Sequence, residues 1–200
     1  MKKNFLGSLF FLVCFVIPVY AQQNDDKNAP QQSMTPPEPL NDEFTKGLVG
    51  EWEGWTETQM GKFKDWQRFS LGLDGQFLLI DYSSKMGSVT EEHEKAMAQM
   101  GMSAEDIEKM KNWVYQGHGL ITIDPSTSEY VGYWFDSWRG TYKGTGKRDG
   151  NKVSWNWVGP GSNSLRTMEL VGNNKMVETF KETDPSGNSM EGRSEWTRKK

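Results

Sequence analysis

Val153-Ser154-Trp155-Asn156-Trp157 sets apolar and polar residues in strict alternation, and an extended strand, whose successive side chains point to opposite faces, separates them cleanly. Working outward, short segments rich in aromatic and β-branched residues recur on both sides, divided by clusters of Gly, Asn and Asp. From Leu48 onward ten such segments are expected as strands, at about 48–59, 63–73, 76–85, 113–123, 128–138, 140–148, 152–159, 164–171, 175–183 and 189–198. Asp74-Gly75, Asp149-Gly150, Gly172-Asn173 and Asp184-Pro185-Ser186-Gly187 supply residues that tolerate positive φ or preset a turn. Links this short join antiparallel neighbours. Ten strands in a meander leave two unpaired edges unless the sheet closes. The expected fold is therefore all-β, a closed up-and-down antiparallel barrel of about ten strands, with a β-sandwich as the alternative.

Phe77-Leu78-Leu79-Ile80 and Val131-Gly132-Tyr133-Trp134-Phe135 are apolar on both faces, which predicts strands covered on both sides. Between the third and fourth strands, residues 88–112 read as a helical insertion. Thr90 and Ser103 are N-caps, followed by Glu91, Glu92, Glu105 and Asp106, where the helix dipole favours negative charge. These are two short helices parted at Gly101. Their apolar residues, among them Met97, Met100, Ile107 and Met110, are mostly spaced three or four apart, so each helix has one face to bury. Two roles fit: a plug or flank that completes the core, or a lid over the barrel mouth, to which flexible methionines are suited.

The amino-terminal region is of another kind. Lys2 and Lys3 precede an apolar run from Phe5 to Val19 that ends at Val19-Tyr20-Ala21, so residues 1–21 are expected to be a secretory signal peptide and the protein to be exported, to a periplasm or the medium. Pro18 interrupts the run, which is shorter than the roughly 20 residues of a membrane-spanning helix, so no span is expected after cleavage. Cys14 as a lipidated residue is the weaker alternative, since Val13 before it is not small. Residues 22–43, rich in Gln, Asn, Asp and Pro and without aromatics before Phe44, are expected to form a disordered linker. Residues 44–200 would then form the barrel domain, enough for one core.

Cleavage would remove Cys14, the only cysteine, and with it any disulfide, thiolate ligand or cysteine nucleophile. It would also remove Lys2 and Lys3 from 23 basic residues, leaving 21 against 27 acidic ones. That excess argues against nucleic acid or an anionic membrane surface as a partner. Phosphate loops, nucleophile elbows, paired-histidine zinc motifs and EF-hand loops are not found, so no catalytic or metal-binding residue is assigned.

Leu48-Val49-Gly50-Glu51-Trp52-Glu53-Gly54, then Gly119-Leu120-Ile121-Thr122-Ile123-Asp124-Pro125 with Tyr130, Trp134 and Asp136, then Trp196-Thr197-Arg198-Lys199, follow an order that resembles the uncharacterised bacterial domain-of-unknown-function family 1579 over about residues 44–199. The resemblance implies a fold and no activity. Gly50-x-Trp52 is also similar to the opening of lipocalin-like and nitrobindin-like barrels. In such a barrel the first and last strands pair, which brings Trp52 beside Trp196 and Arg198; lipocalin-like barrels carry a Trp–Arg pair sealing the closed end, so Trp52 and Arg198 are expected to be structural.

Candidate ligand-binding residues are Trp134, Asp136, Tyr82, His118 and Arg166. Asp136 shares a face with Trp134 and Trp138, and inside a barrel it would need a cation or donors, for which Arg68 and Arg166 are candidates. His118 stands between Gly117 and Gly119, whose missing side chains would admit a planar ligand; haem is the cofactor this suggests, because nitrobindin-like barrels bind it through one histidine. Nine tryptophans, all beyond residue 21, could line a cavity. The functional expectation is reversible binding of a small apolar or planar molecule, or a lipid, inside the barrel. Its rivals are an envelope interaction protein with a side-chain-filled barrel, a haem-binding barrel, and an enzyme acting through Asp136 and His118. Protein recovered from the envelope or medium of an expressing bacterium is expected to have an intact mass that starts at Gln22; a mass retaining Met1 would overturn the cleavage.

Overall fold

The computed structural model describes residues 35–200. The signal peptide and most of the linker expected from the sequence lie outside the described residues. Pro37–Lys200 forms one compact unit. A six-residue helix, α1 (Glu43–Leu48), precedes β1 (Gly50–Thr58), β2 (Gly61–Gly72) and β3 (Phe77–Ser88). Two helices follow, α2 (Glu91–Gln99) and α3 (Ala104–Asn112), and then β4 (Val114–Ile123), β5 (Tyr130–Asp136), β6 (Thr141–Asp149) and β7 (Lys152–Val158). The chain ends with β8 (Asn163–Val171), β9 (Lys175–Thr183) and β10 (Ser189–Arg198).

Each strand pairs antiparallel with its sequence neighbour and β1 pairs with β10, so the ten strands form a closed up-and-down barrel. The turns use the expected residues: Asp74, Gly75, Gly150, Gly172 and Gly187 all have φ between 56° and 88°. Thr90 and Ser103 cap α2 and α3, and Gly101 between them sits at φ 88°. His93 completes the α2 cap, its Nδ1 accepting from the Thr90 backbone N–H at 3.1 Å. Met97 and Ile107 bury against Met86 of β3, with Met60, Phe63 and Met110 around them, so the pair forms a second apolar cluster beside one end of the barrel. The insertion flanks the mouth instead of filling the lumen.

The other end is plugged. Phe44 and Leu48 of α1 enter the barrel and pack with Trp52, Phe69, Leu78, Tyr130, Val153 and Met176. Trp52, wholly buried, donates its indole N–H to Leu48 O at 2.8 Å. Arg198, its Cα partner across the β1–β10 seam, lays its guanidinium 4.2 Å from the indole centroid. The same guanidinium donates to the carbonyls of Gly47, Val49 and Asn173. One side chain thus satisfies the free carbonyls at the end of α1 and ties helix, first strand and last strand together.

Two expectations change. The barrel unit starts earlier than residue 44: Leu40 is in the core and its N–H donates to Gly75 O, while Gln76 donates to Pro37 O. Asp42 caps α1 through Thr45 N–H and accepts from the Tyr130 hydroxyl at 2.6 Å and Arg148 at 3.1 Å. The end of the linker is therefore a strap, held because Leu40 has a place to be buried. Second, β5 is not covered outside: Tyr133 and Phe135 are 40% and 47% exposed, since a single-walled barrel offers its outer face nothing to pack against.

Trp52→Ala would empty the plug of its largest buried ring and is expected to destabilise the fold by about 3–5 kcal/mol. The measurement is thermal or urea melting; an unchanged midpoint would show that Trp52 does not seal this end.

Candidate functional site

Above the plug the lumen holds a cavity of about 330 Å³. It exists because of what the inward-facing positions carry. Large rings project from β5 and β7, yet the strands beneath them place glycine inward. A Cβ on Gly117 would stand 2.0 Å from the Trp134 indole, and Cβ atoms on Gly132 and Gly144 would stand 2.5 and 2.7 Å from that of Trp157. The indoles consequently lie against the wall, and the axis stays open. Trp155 and Trp157 stack at 5.2 Å between centroids, and Tyr82 meets Trp134, Tyr115 and Trp196 edge to face. Toward the mouth the lining is completed by Trp138, Trp113 and Met110, the last two from the end of the helical insertion.

Three polar groups stand in or behind the aromatic wall. One centres on Asp65, 1% exposed on β2. Thr56 donates to its carboxylate and shares a 2.6 Å hydrogen bond with Ser194, and the Tyr82 hydroxyl donates at 3.2 Å. Burial dominates over these donors and over that of Ser84, so the Asp65 pKa is pushed up to about 6, with Glu178 adding to the rise. Burial likewise lifts the Tyr82 hydroxyl well above the usual phenol range, helped by Asp65. Gln67, the next inward residue on β2, lines the cavity, and its Nε2 is buried without a partner.

The second group is Arg166 on β8, which reaches two residues of β9: Glu178 at 3.2 Å and Glu182 at 2.7 Å. Its Nε donates to Ser164 and its guanidinium lies 4.7 Å from the Phe180 ring centroid. Burial works against the charge on Arg166, but the two carboxylates outweigh it and hold the guanidinium protonated.

The structure brings Tyr82, Trp134, Asp136 and Arg166 to one cavity. It does not bring His118 there. His118 points outward, its side chain 74% exposed, and bonds Asp81 through Nδ1 at 2.9 Å. Gly117 and Gly119 on either side face inward and make room for Trp134, so the alternation that suggested access for a ligand puts the histidine on the other face. With His93 capping α2, neither histidine can ligate a haem in the lumen. Among the described residues no group of three His, Cys, Asp or Glu side chains is arranged to hold a metal ion. The acid–base pair also fails, because Asp136 faces in beside Gly117 while His118 faces out.

Asp136 is satisfied without an arginine. It accepts from the Tyr115 hydroxyl at 3.1 Å and from the N–H groups of Trp138 and Gly140 at 2.9 and 2.8 Å, and Trp134 in turn donates to Tyr115. Arg68, the other expected partner, binds Asp81 on the outer surface. Sequence reasoning missed Asp65, Gln67, Glu178 and Glu182. The signal was present as parity: Phe63, Asp65, Gln67 and Phe69 share one face of β2, and Met176, Glu178, Phe180 and Glu182 share one face of β9.

No family model matches the chain and no curated protein matches it. Among solved structures, an S-type phycobiliprotein lyase from Guillardia theta is similar over 79% of this chain and 92% of its own, with a TM-score of 0.51 and 11% identity. A protein of unknown function from the DUF3598 family of Nostoc punctiforme aligns over 78% of this chain and 98% of its own, with a TM-score of 0.26 and 9% identity. The first likeness is one of fold, a lipocalin-like barrel.

A carboxyl titrating near 6 in the folded protein and near 3.8 in the unfolded chain favours folding most below pH 3.8, and this contribution is lost as pH rises through 6. The difference corresponds to up to about 3 kcal/mol. Asp65→Asn removes it, so the stability of wild type relative to the variant is expected to fall between pH 4 and pH 7 in urea titrations. Parallel profiles would show that Asp65 does not titrate in this window.

Proposed function

We propose that the protein is an exported carrier, periplasmic or extracellular, that reversibly binds one small, largely apolar and planar molecule inside its barrel. The cavity carries this reading. Its volume of about 330 Å³ falls at the lower end of the range for ligand sites, roughly 300–1,000 Å³. Its walls are mainly aromatic with a few convergent polar groups, the composition such sites have. Flat indoles favour a flat guest, since offset-stacked or edge-on ring contact is where aromatic pairs gain most. Trp134 and Tyr82 would grip the rings, while Asp136 and Arg166 would orient polar substituents.

An envelope protein with a side-chain-filled barrel is the weaker reading, because the inward glycines keep ring-sized volume off the axis. The fold shared with the phycobiliprotein lyase is compatible with a small guest. Export rests on Lys2, Lys3 and the apolar run ending at Ala21, and membership of the domain-of-unknown-function family 1579 on the three segments around Trp52, Ile121 and Trp196. Among the described residues no helix is long and apolar enough to cross a membrane.

The test is uptake of N-phenylnaphthylamine, an uncharged aromatic probe that brightens in apolar surroundings. Saturable binding near one probe per chain is expected. Met168→Trp, which adds ring volume at a residue lining the cavity, is expected to weaken uptake by about tenfold or more while the barrel still melts cooperatively. Absence of saturable uptake by wild type, or full uptake by the filled variant, would overturn the proposal.

A further inference from the structure

Charge inside the cavity does not balance. Among the described residues that line it, Arg166 is the one cation, against the carboxylates of Glu178, Glu182 and Asp136. Glu178 and Glu182 both bind that guanidinium, so one negative charge is left over at the triad, in a space walled by indoles. Asp136 takes its hydrogen bonds from a phenol and two backbone N–H groups and from no cation. Asp65, behind Thr56 and Ser194, adds a further buried carboxyl close enough to feel Glu178. Walls of indole and aliphatic groups screen charge less than open water does, so surplus negative charge here is attractive to a cation.

An independent feature also points to an occupant. Gln67 is 5% exposed and lines the cavity, and its Nε2 has no hydrogen-bond partner. A buried amide donor left empty is unfavourable, and nothing on the neighbouring strands satisfies it. An acceptor atom on a guest would, once the amide turns toward the lumen. The faces of Trp134 and Trp157 add a third contribution, since aromatic faces attract positive charge.

Resting on the binding function above, we propose that the ligand is a small organic monocation. It has a planar apolar body that lies on the indoles and one protonated amine or amidine nitrogen that binds Glu178 and Glu182 beside Arg166. One acceptor atom meets Gln67. Such a nitrogen turns the three-membered Glu–Arg–Glu cluster into a neutral set of two cations and two anions. A carboxylate-bearing ligand would instead have to displace both glutamates from Arg166 before gaining its charge.

The experiment titrates full-length protein at neutral pH with three probes built on one naphthalene ring: naphthylmethylamine as the cation, naphthalenemethanol as the neutral analogue and naphthoate as the anion. Quenching of the tryptophan fluorescence is the readout. The amine is expected to bind about tenfold tighter than the alcohol, and naphthoate weakest. Glu178→Gln and Glu182→Gln are each expected to abolish the preference for the amine over the alcohol. Equal affinities for amine and alcohol in wild type, or naphthoate binding tightest, would overturn the monocation while leaving an apolar carrier standing. Failure of the amine to bind a protein that takes up N-phenylnaphthylamine would do the same; failure of every probe would remove the carrier as well.

Discussion

An indole can lie flat on a barrel wall only where the strand beneath it lacks a Cβ, and this steric condition governs the interior. Trp134 over Gly117 and Gly119, and Trp157 over Gly132 and Gly144, meet it with approaches that any other residue would obstruct. Rings directed at the axis would make the barrel a solid core. Rings directed along the wall make a lined space, at the cost of the flexibility that glycine brings to the strands. Gly117, Gly119, Gly132 and Gly144 are a consequence of that geometry.

The two ends of the lumen obey different rules. At the plugged end, apolar residues from α1 and the strands around it fill the space, and Arg198 binds carbonyls that would otherwise be left without partners and covers the Trp52 indole. In the middle, polar groups stand inside the wall and are satisfied in clusters: Asp65 by hydroxyls, Arg166 by two carboxylates, Asp136 by a phenol and a turn. Networks of this kind rigidify when complete and are costly when broken. Gln67 is the member left incomplete.

Closure, strand number, the capped helices and the Trp52–Arg198 contact were all legible in the sequence, because turn chemistry, edge pairing and helix caps are local rules. The helix α1 was missed although Asp42 is a good N-cap, since six residues are too few to display a 3.6-residue period. Burial of Leu40 was hidden by the prolines around it, which read as linker. His118 was misplaced for a definite reason: flanking glycines suggest space, but space on one face says nothing about the residue on the opposite face, and alternation assigns His118 to the outside. Glu178 and Glu182 escaped notice because charged residues on a strand are usually solvated; that they share a face with Met176 and Phe180 was the discriminating observation. Whether a barrel is hollow depends on which ring meets which glycine across strands, and no single strand reveals it.

The seam that shuts the barrel joins segments nearly the whole unit apart, with Trp52 opposite Arg198 and Lys199 N–H donating to Glu51 O at 2.8 Å. Long-range pairing is slow to nucleate because a large loop must first be gathered in. Every other pairing joins strands adjacent in sequence, so the β1–β10 seam is the one that needs the whole unit gathered in. Until it closes, β1 and β10 each carry an unsatisfied border able to recruit a stray strand. The pairing of β10 with β1 therefore sets the moment at which this molecule acquires an interior.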